Sequence, residues 1–247
     1  MNPNTVPDIN SPVLQASLAA RLAAASGLLR DIARDFPPAA FATSLGAEDM
    51  VLTDLIARHA PGIEVFTLDT GRLPAETYDL LQKLADRYDI RIRIVYPERE
   101  NLEHYVAAHG VNGFYRSVEA RKACCETRKV EPLRRALAGK KAWVTGLRRA
   151  QAVTRRDLPQ REWDAANGLE KFNPLADWSE KEVWAYIRTF EVPYNALHDR
   201  GYPSIGCAPC TRAVARGEDV RAGRWWWEAA DTKECGLHPG RRKLDAA

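Results

Sequence analysis

An excess of charge of either sign is missing from this sequence. Its 247 residues contain 36 lysines and arginines against 33 aspartates and glutamates, a formal net charge of +3. A balance so close to neutral gives no sign of nucleic-acid binding, because proteins that bind a long polyanion concentrate positive charge. Arginines do cluster locally, in the stretches 148–161 and 221–224. These clusters favour a small anionic ligand over a nucleic acid.

Long apolar runs and a leader-like N-terminus are also missing. No stretch approaches the roughly 18 consecutive apolar residues of a membrane-spanning helix. The start, "MNPNTVPDINSPVLQ", lacks the charged and apolar regions of a secretory signal. We therefore expect a cytoplasmic protein without a membrane span. Because structural disulfides are rare in that compartment, its five cysteines are expected to be ligands, catalysts or buried core residues.

Internal repeats and low-complexity tracts are absent, and the regular pattern that remains predicts an α/β fold. Apolar residues recur at helical spacing from Leu14 to Phe36 and predict an amphipathic helix that ends at Pro37-Pro38. Strands are then predicted at "AAFATSL", "IEVFTLD", "IRIVY" and "KAWVTGL", and helices at "EDMVLTDLIARH" and "PAETYDLLQKLADRY". Strands that alternate with helices predict a mostly parallel sheet flanked by helices.

The chain divides into three parts on this interpretation. Residues 1–12 are predicted to be a flexible tail, residues 13–200 an α/β domain, and residues 201–247 a cysteine-rich C-terminal segment outside the core. Near the end of the domain, "WSEKEVWAYIRTF" predicts a helix with Ser179 as its N-cap and Glu182 as the capping-box partner.

Three loops follow predicted strands and are candidates for ligand binding. They read "TSLGAED", "LDTGRLP" and "TGLRR". Ligands of open parallel sheets bind beyond the carboxyl ends of the strands, and Gly46 and Gly71 would allow close backbone approach there. Tight packing explains each glycine about as well as ligand binding does. The evidence for a ligand site is therefore that all three loops follow predicted strands.

Four cysteines fall into two pairs. Cys124 and Cys125 are adjacent within a basic helix, and Cys207 and Cys210 form a CxxC motif. Four thiolates suit a tetrahedral zinc ion or an iron–sulfur cluster. Adjacent ligands are unusual for zinc, whereas neighbouring cysteines can bind separate irons of a cubane. The alternative is two buried cysteines plus a redox-active CxxC pair.

The fifth cysteine, Cys235, stands apart in "KECGLHPG". A thiol acts as a nucleophile when its neighbours stabilise the thiolate. Lys233 and His238 are candidates for that role, and Glu234 opposes it. The alternative is an incidental surface thiol.

Together these motifs resemble a known family. "KACCETRKVEPL", "GCAPCTRAVARGEDVRAGRWWWE" and "KECGLH" look like the iron–sulfur-containing assimilatory adenylyl-sulfate reductases, within the wider phosphoadenylyl-sulfate reductase family. The resemblance continues through "TSLGAEDMVLTDL", "LDTGRLPAETYDL" and "VTGLRRAQ", and so spans roughly residues 40–238. Members of the family without a cluster lack both cysteine pairs but keep the final "ECGLH".

The resemblance implies a fold, a reaction and a cofactor. The fold is an adenine nucleotide alpha hydrolase-like α/β domain that binds a nucleotide. The Cys235 thiolate attacks adenylyl sulfate and releases AMP, and thioredoxin or glutaredoxin then reduces the S-sulfonated cysteine to release sulfite. A [4Fe–4S] cluster on Cys124, Cys125, Cys207 and Cys210 shapes and polarises the site without relaying electrons. A homo-oligomer is left open.

The resemblance also assigns residues to the substrate. It places Lys129 and His238 around the phosphosulfate and implies that they are catalytic residues together with Cys235. Lys129 follows Cys125 by four residues, which is one helical turn, so it is expected to face both the cluster sulfurs and the substrate. The substrate-binding residues it implies are Ser44, Gly46, Asp69, Arg148, Arg221 and Arg224.

Some positions depart from the family pattern. Ala150-Gln151-Ala152 stands where relatives often have Asp-Gln-Ser, and Leu45 stands where some carry a second serine. Polar contacts to the ligand are therefore in doubt at these positions. Trp225, Trp226 and Trp227 are interpreted as packing residues in preference to a base-stacking platform, and the histidines other than His238 as structural.

Three alternative functions are weighed. A tRNA sulfurtransferase should bring an SGGxDS loop and a basic face, and neither is visible in the sequence. A zinc-stabilised binding module would leave Cys235 unexplained. The same chemistry on phosphoadenylyl sulfate is the nearest alternative.

Overall fold

The chain folds around one mixed sheet with helices on both faces. The computed structural model describes residues 11–151, 155–215, 217–229 and 237. Within these residues the strands are β1 Ala39–Thr43, β2 Glu64–Leu68, β3 Ile92–Val95, β4 Ala142–Val144, β5 Arg161–Asp164 and β6 Leu169–Phe172. The helices are α1 Pro12–Asp35, α2 Ala47–His59, α3 Ala75–Arg87, α4 Arg99–His109, α5 Val118–Cys125, α6 Glu131–Leu137 and α7 Glu180–Thr189.

The strand order is β3-β2-β1-β4-β6-β5. Every pairing is parallel except that of β5 with β6. In the central strand Ala40 pairs with Glu64 of β2 on one side and Trp143 of β4 on the other. The predicted mostly parallel sheet is therefore confirmed, and the carboxyl ends of β1, β2 and β4 lie next to each other at one edge.

Most predicted elements are present, and three were missed. Helix α4 and strands β5 and β6 have no counterpart in the sequence prediction. The two strands are four residues each, and β5 alternates exposed and half-buried residues at the edge of the sheet. A short edge strand such as β5 carries little apolar signal, since one partner strand and a partly solvated face suffice for it. Strand β6 lies between β4 and β5 and is mostly buried, but four residues are too few for a periodic pattern to stand out.

Two apolar clusters fill the faces of the sheet. Helices α1, α2 and α7 pack with the sheet in the larger cluster, where Leu29, Phe41 and Leu55 are fully buried. Helix α6 contributes Leu133 and Leu137 to the smaller one, on the strands that carry Phe66 and Trp143. The sheet is thus sandwiched between helices, as an α/β fold requires.

Helix α7 begins as predicted. The Ser179 hydroxyl accepts a hydrogen bond from the Glu182 backbone N–H, and the Glu182 carboxylate accepts one from the Ser179 backbone. The capping box satisfies two backbone N–H groups that a helix start otherwise leaves open.

A buried carboxylate joins α2 to α3 and α7. Asp54 is completely buried. It accepts hydrogen bonds from the Tyr88 hydroxyl at 2.7 Å, the Tyr186 hydroxyl at 2.6 Å and Nε of Arg58 at 2.7 Å. A buried charge is tolerated only with such partners, so this network fixes the packing of the three helices.

Helix α1 is long and apolar. By length and hydropathy alone it is apolar enough to cross a membrane, with 22% of its most apolar window buried. Its buried positions include Leu18, Ala25, Leu29 and Ile32, which pack in the larger apolar cluster.

The C-terminal segment contradicts the expectation that it lies outside the core. Cys207, Cys210 and Trp225 are buried and form a third apolar cluster with Phe114 and Cys125. The partners are about a hundred residues away along the chain, so no local pattern could show this burial.

Candidate active site at the carboxyl edge of the sheet

The four paired cysteines converge on one cavity. Cys124, Cys125, Cys207 and Cys210 all line it, and all four thiols are free of disulfides. The rest of the wall is made of cations and apolar groups: Arg72, Arg121, Arg128, Lys129, Phe114, Pro209 and Trp225.

A π-helical turn shapes the cysteine-bearing helix. Helix α5 ends at Cys125, a π-helical turn runs over Glu126–Val130, and α6 follows. Pro132 at the start of α6 has no N–H to continue the α-helical ladder, which favours such a bulge. The turn carries Lys129 to the cavity wall beside Cys125, although the spacing differs from the regular α-helical turn predicted.

The loop after β2 attaches the CxxC motif to the sheet. The Thr70 hydroxyl lies 3.3 Å from the Cys207 sulfur, and the Ala208 N–H donates to the Arg72 carbonyl at 2.8 Å. Nη1 of Arg128 donates to the Thr70 carbonyl at 2.6 Å. Gly71, at φ 69°, supplies the left-handed backbone that this tight loop needs. Both cysteine segments therefore meet at the carboxyl end of β2.

Cations surround the sulfur of Cys207. Burial opposes ionisation, but Lys129, the Thr70 hydroxyl, Arg224 and Arg128 together lower the pKa of the Cys207 thiol below its ordinary value. By contrast, burial and then the charge of Cys207 raise the pKa of Cys210 to about 12. The cavity therefore favours a thiolate at Cys207. Cys210 would need a further compensating cation before it could ionise as well.

Asp69, predicted to bind substrate, lies at the start of the same loop. Its carboxylate accepts the Gly71 N–H at 2.8 Å and the Tyr78 hydroxyl at 2.9 Å. It is buried, and its contacts hold the loop in shape.

The loop after β1 places Ser44 and Gly46 at the start of α2. The backbone N–H and the hydroxyl of Ser44 each lie 2.6 Å from Oδ2 of Asp49, and Gly46 is the N-cap of α2. Leu45 between them has φ 62°, an uncommon backbone region for a residue with a side chain. Burial raises the pKa of the Asp49 carboxyl to about 6.

Arg148 lies at the end of β4, but its guanidinium is engaged. Nε and Nη2 donate to Oε1 of Glu48 at 2.9 and 2.6 Å, and Nη1 donates to the Trp178 carbonyl at 3.2 Å. The residue is buried. The Gln151 side chain accepts a hydrogen bond from the Arg148 backbone N–H at 3.1 Å. Gln151 therefore supports this loop, within the stretch Ala150-Gln151-Ala152 that differs from the family pattern. Ala152 lies outside the described residues.

The two predicted arginines of the C-terminal segment differ in placement. Arg224 donates from Nη1 to the Ile205 carbonyl at 3.2 Å, and its guanidinium lies 4.8 Å from the centre of the Trp225 ring. Arg221 is half-buried, and its backbone N–H donates to Asp219 at 2.8 Å. Arg224 is thus next to the cysteine cavity, and its charge acts on Cys207.

Cys235 and His238 lie outside the described residues, as do Lys233 and Glu234. Leu237 is described: it is half-buried and packs on the apolar cluster of α6, as do Ala42 of β1 and Leu68 of β2.

Several site residues escaped the sequence analysis. Thr70 follows Asp69, and Arg128 precedes Lys129. Their position next to predicted site residues is a signal that could have identified them. Arg121 gave no such signal, because its partner Glu228 lies 107 residues away along the chain. Asp49 gave none either, because its contacts with Ser44 form only when the loop after β1 folds. The interpretation of the tryptophans as packing residues is confirmed for Trp225 and Trp227, which belong to the cysteine cluster.

The cavity fits a group that brings hydrogen-bond acceptors. Among the described residues, Nε1 of Trp225 and Nε of Arg128 are buried without a hydrogen-bond partner, although both side chains line the cavity. Cluster sulfides and thiolates are acceptors that such donors can use. In that same part of the chain no three His, Cys, Asp or Glu side chains are placed to hold one metal ion.

The fold and the loop cluster define an α/β protein of the adenine nucleotide alpha hydrolase-like type. A solved FMN adenylyltransferase of Candida glabrata shares this fold at 14% identity, with a TM-score of 0.55 over 88% of this chain and 75% of that one. The solved phosphoadenylyl-sulfate (PAPS) reductase of Candida auris, a phosphate complex, is more similar. It is 31% identical with a TM-score of 0.67, over 81% of this chain and 97% of that one.

Sequence relatives give the family. The model of the phosphoadenosine phosphosulfate reductase domain matches residues 38–213. An adenosine 5'-phosphosulfate reductase of Allochromatium vinosum is 63% identical, covering 90% of this chain and 87% of that protein. One of Burkholderia cepacia is 55% identical, covering 91% and 90%. The chain belongs to the phosphoadenosine phosphosulfate reductase family.

Proposed function

We propose that this protein reduces adenylyl sulfate to sulfite and AMP in assimilatory sulfate reduction, through an S-sulfonate on Cys235. One observation carries the proposal: both cysteine pairs and Lys129 line a single cavity at the end of β2, in a chain 63% identical to a protein named for this substrate.

The first step is a nucleophilic displacement at sulfur. The Cys235 thiolate forms a bond to the sulfate sulfur, the bond from that sulfur to the phosphate oxygen of AMP breaks, and AMP leaves with the electron pair. Both reactants are anionic, so cations must offset their repulsion and stabilise the leaving phosphate. Lys129 and Arg224 are the proposed cations, and the proposal is supported by their charges, both of which lower the pKa of the Cys207 thiol.

The second step consumes a dithiol. One thiolate of thioredoxin or glutaredoxin attacks the Cys235 sulfur, and sulfite leaves with the bonding electron pair. The second thiol resolves the mixed disulfide, restores the Cys235 thiol and leaves the reductant oxidised. This dependence on reduced thiols fits the predicted cytoplasmic location.

A [4Fe–4S] cluster held by Cys124, Cys125, Cys207 and Cys210 is part of the proposal. When bound, it would shape and polarise the site. The chain's own contribution is the electrostatic environment: Lys129, Arg128 and the Thr70 hydroxyl favour negative charge on the sulfur of Cys207. The cluster is tested by anaerobic iron and sulfide analysis with an absorption spectrum. About four irons and four sulfides per chain support it, and stoichiometric zinc without sulfide contradicts it.

Adenylyl sulfate is preferred over its 3'-phosphorylated form on two grounds. The proteins named adenosine 5'-phosphosulfate reductase are 49–63% identical over most of the chain, while the structure named phosphoadenylyl-sulfate reductase is 31% identical. The test is sulfite and AMP release from each nucleotide under one reductant. Faster turnover of the phosphorylated form would transfer the assignment to that substrate, and no sulfite from either would end the reductase proposal.

A further inference from the structure

We propose that Arg121 is a positioning residue that ties the sulfur of Cys125 to the base of the C-terminal segment through Glu228. The inference rests on the proposed function, because its consequences concern the cluster cysteines and Cys235.

Arg121 is completely buried in the cavity wall. It lies on α5 one turn before Cys125, so the two side chains share a helix face. The residue is buried, and its side chain lines the same cavity as the Cys125 side chain. A buried guanidinium requires anionic or acceptor partners, and the cysteine sulfur is an acceptor in the same wall.

Glu228 is its second partner, 107 residues away in sequence. Nε of Arg121 donates to Oε1 at 2.9 Å and Nη2 to Oε2 at 2.7 Å. The two side chains are 1% and 4% exposed. This is the two-pronged geometry that arginine makes with a carboxylate and lysine cannot.

Trp225 completes the unit. The Arg121 guanidinium lies 4.8 Å from the Trp225 ring centre, and the Arg224 guanidinium lies at the same distance from that ring. Trp225 has φ 40°, an uncommon conformation that its surroundings must enforce. Its carbonyl accepts the Glu228 N–H at 2.8 Å, so Trp225 and Glu228 form one turn that closes on Arg121.

One buried guanidinium has donors enough for two acceptors. Arg121 has five N–H donors, of which two are used by the Glu228 carboxylate, and the others are available to the Cys125 sulfur. The contact to Cys125 orients a proposed cluster ligand. The contact to Glu228 fixes the chain just before the stretch that leads to Cys235, which follows Glu228 by seven residues and so by at most about 25 Å.

A surface pair on the same segment provides a matched control. Arg212 donates to Glu218 in the same two-pronged way, at 2.9 Å for each bond. Those side chains are 40% and 35% exposed, and neither lines the cysteine cavity. Glu218→Gln therefore removes a comparable ion pair without touching the proposed unit.

The experiment compares Arg121→Lys, Glu228→Gln and Glu218→Gln with the wild type as anaerobic holoproteins. Two rates are measured: iron release to a chelator, and alkylation of Cys235 followed by peptide mass. Arg121→Lys keeps the charge but loses the fork, so we expect iron release about tenfold faster and alkylation about threefold faster. Glu228→Gln should accelerate alkylation more than iron release, and Glu218→Gln should change neither rate.

Two outcomes overturn the inference. Either Arg121→Lys and Glu228→Gln match Glu218→Gln in both rates, or they only lower thermal stability, which is the behaviour of a structural ion pair. If Arg121→Lys does not fold, Glu228→Gln decides alone. A wild type that binds iron and forms the sulfonate keeps the proposed function even when these variants show no effect, so the two failures are distinguishable.

Discussion

The hydroxyl of Thr70 lies 3.3 Å from the sulfur of Cys207. The contact joins the loop that ends β2 to the CxxC motif of the C-terminal segment, 137 residues further along the chain. The cysteine cavity is therefore built onto the ligand-binding edge of the sheet instead of forming a separate lobe. A substitution at Thr70 should therefore affect the cysteine cavity directly.

Replacing Thr70 with valine keeps the shape of the side chain but removes the hydroxyl that contacts the Cys207 sulfur. If Cys207 binds the proposed cluster, we expect iron release to a chelator to accelerate about tenfold, because partners of metal ligands typically contribute 10–100-fold to metal affinity. Thr70→Ser keeps the hydroxyl and should retain iron like the wild type. Equal retention by the valine variant would show that the hydroxyl does not support the site.

Gly146 allows the Asp49 carboxylate to approach the loop after β4. A Cβ at Gly146 would overlap Oδ1 of Asp49, and the other carboxylate oxygen holds Ser44. Gly146→Ala should therefore weaken AMP binding at least about tenfold, or 1.4 kcal/mol. Calorimetry measures this directly.

Gly62→Ala is the control for that substitution, since nothing lies within 4 Å of its added Cβ and its φ is not in the left-handed region. It should bind AMP like the wild type. Unchanged binding by both variants would place the nucleotide away from the loops after β1 and β4.

Asp49 should give a measurable pH dependence of stability. Burial, supported by the neighbouring Glu48 charge, raises the pKa of its carboxyl from 3.8 to about 6. Between these values the folded state binds more protons than the unfolded state, so the free energy of unfolding falls as the pH rises from about 4 to 6.

Asp49→Asn cannot titrate and should show a smaller fall. The difference is on the order of 3 kcal/mol at most, from about 1.4 kcal/mol per pKa unit. Denaturant titrations at steps of pH measure it. Parallel curves for wild type and variant would mean that Asp49 has an ordinary pKa.

The buried network of Asp54 predicts an effect on stability alone. Tyr186→Phe removes a hydroxyl 2.6 Å from the buried carboxylate, and a hydrogen bond to a charged group contributes about 1.5–3 kcal/mol. Tyr194→Phe removes a comparable bond to Asp199 at the surface and should change the free energy of unfolding by less than about 0.5 kcal/mol. Similar losses in the two variants would contradict the role given to burial.

The sequence was sufficient for the parts of the structure that local patterns encode. The strands from β1 to β4 and the helices α1, α2, α3 and α7 follow from apolar periodicity and from the Ser179 capping box. The two cysteine pairs were predicted to act together, and they line one cavity. Their role as cluster ligands stays a prediction, as do the roles of Cys235 and His238.

The rest depends on contacts between distant segments. The sequence predicts that Trp225 packs, but not against which residues, because Arg121, Phe114 and the cysteines come from distant segments. Arg148 was predicted to bind an anion, but Glu48, a hundred residues earlier, already accepts two hydrogen bonds from it. Side-chain pairs of this kind form only once the sheet is assembled, so they leave no periodic signal in the sequence.

The proposed mechanism depends above all on attack by Cys235 on the sulfate group of adenylyl sulfate. This step can be tested by incubating the anaerobic protein with adenylyl sulfate and no reductant, and measuring the intact and peptide masses. We expect the mass of one sulfonate on Cys235, its absence in Cys235→Ser, and its removal with release of sulfite when thioredoxin is added. A wild-type protein that binds the nucleotide and turns it over without any adduct on Cys235 would rule out this mechanism.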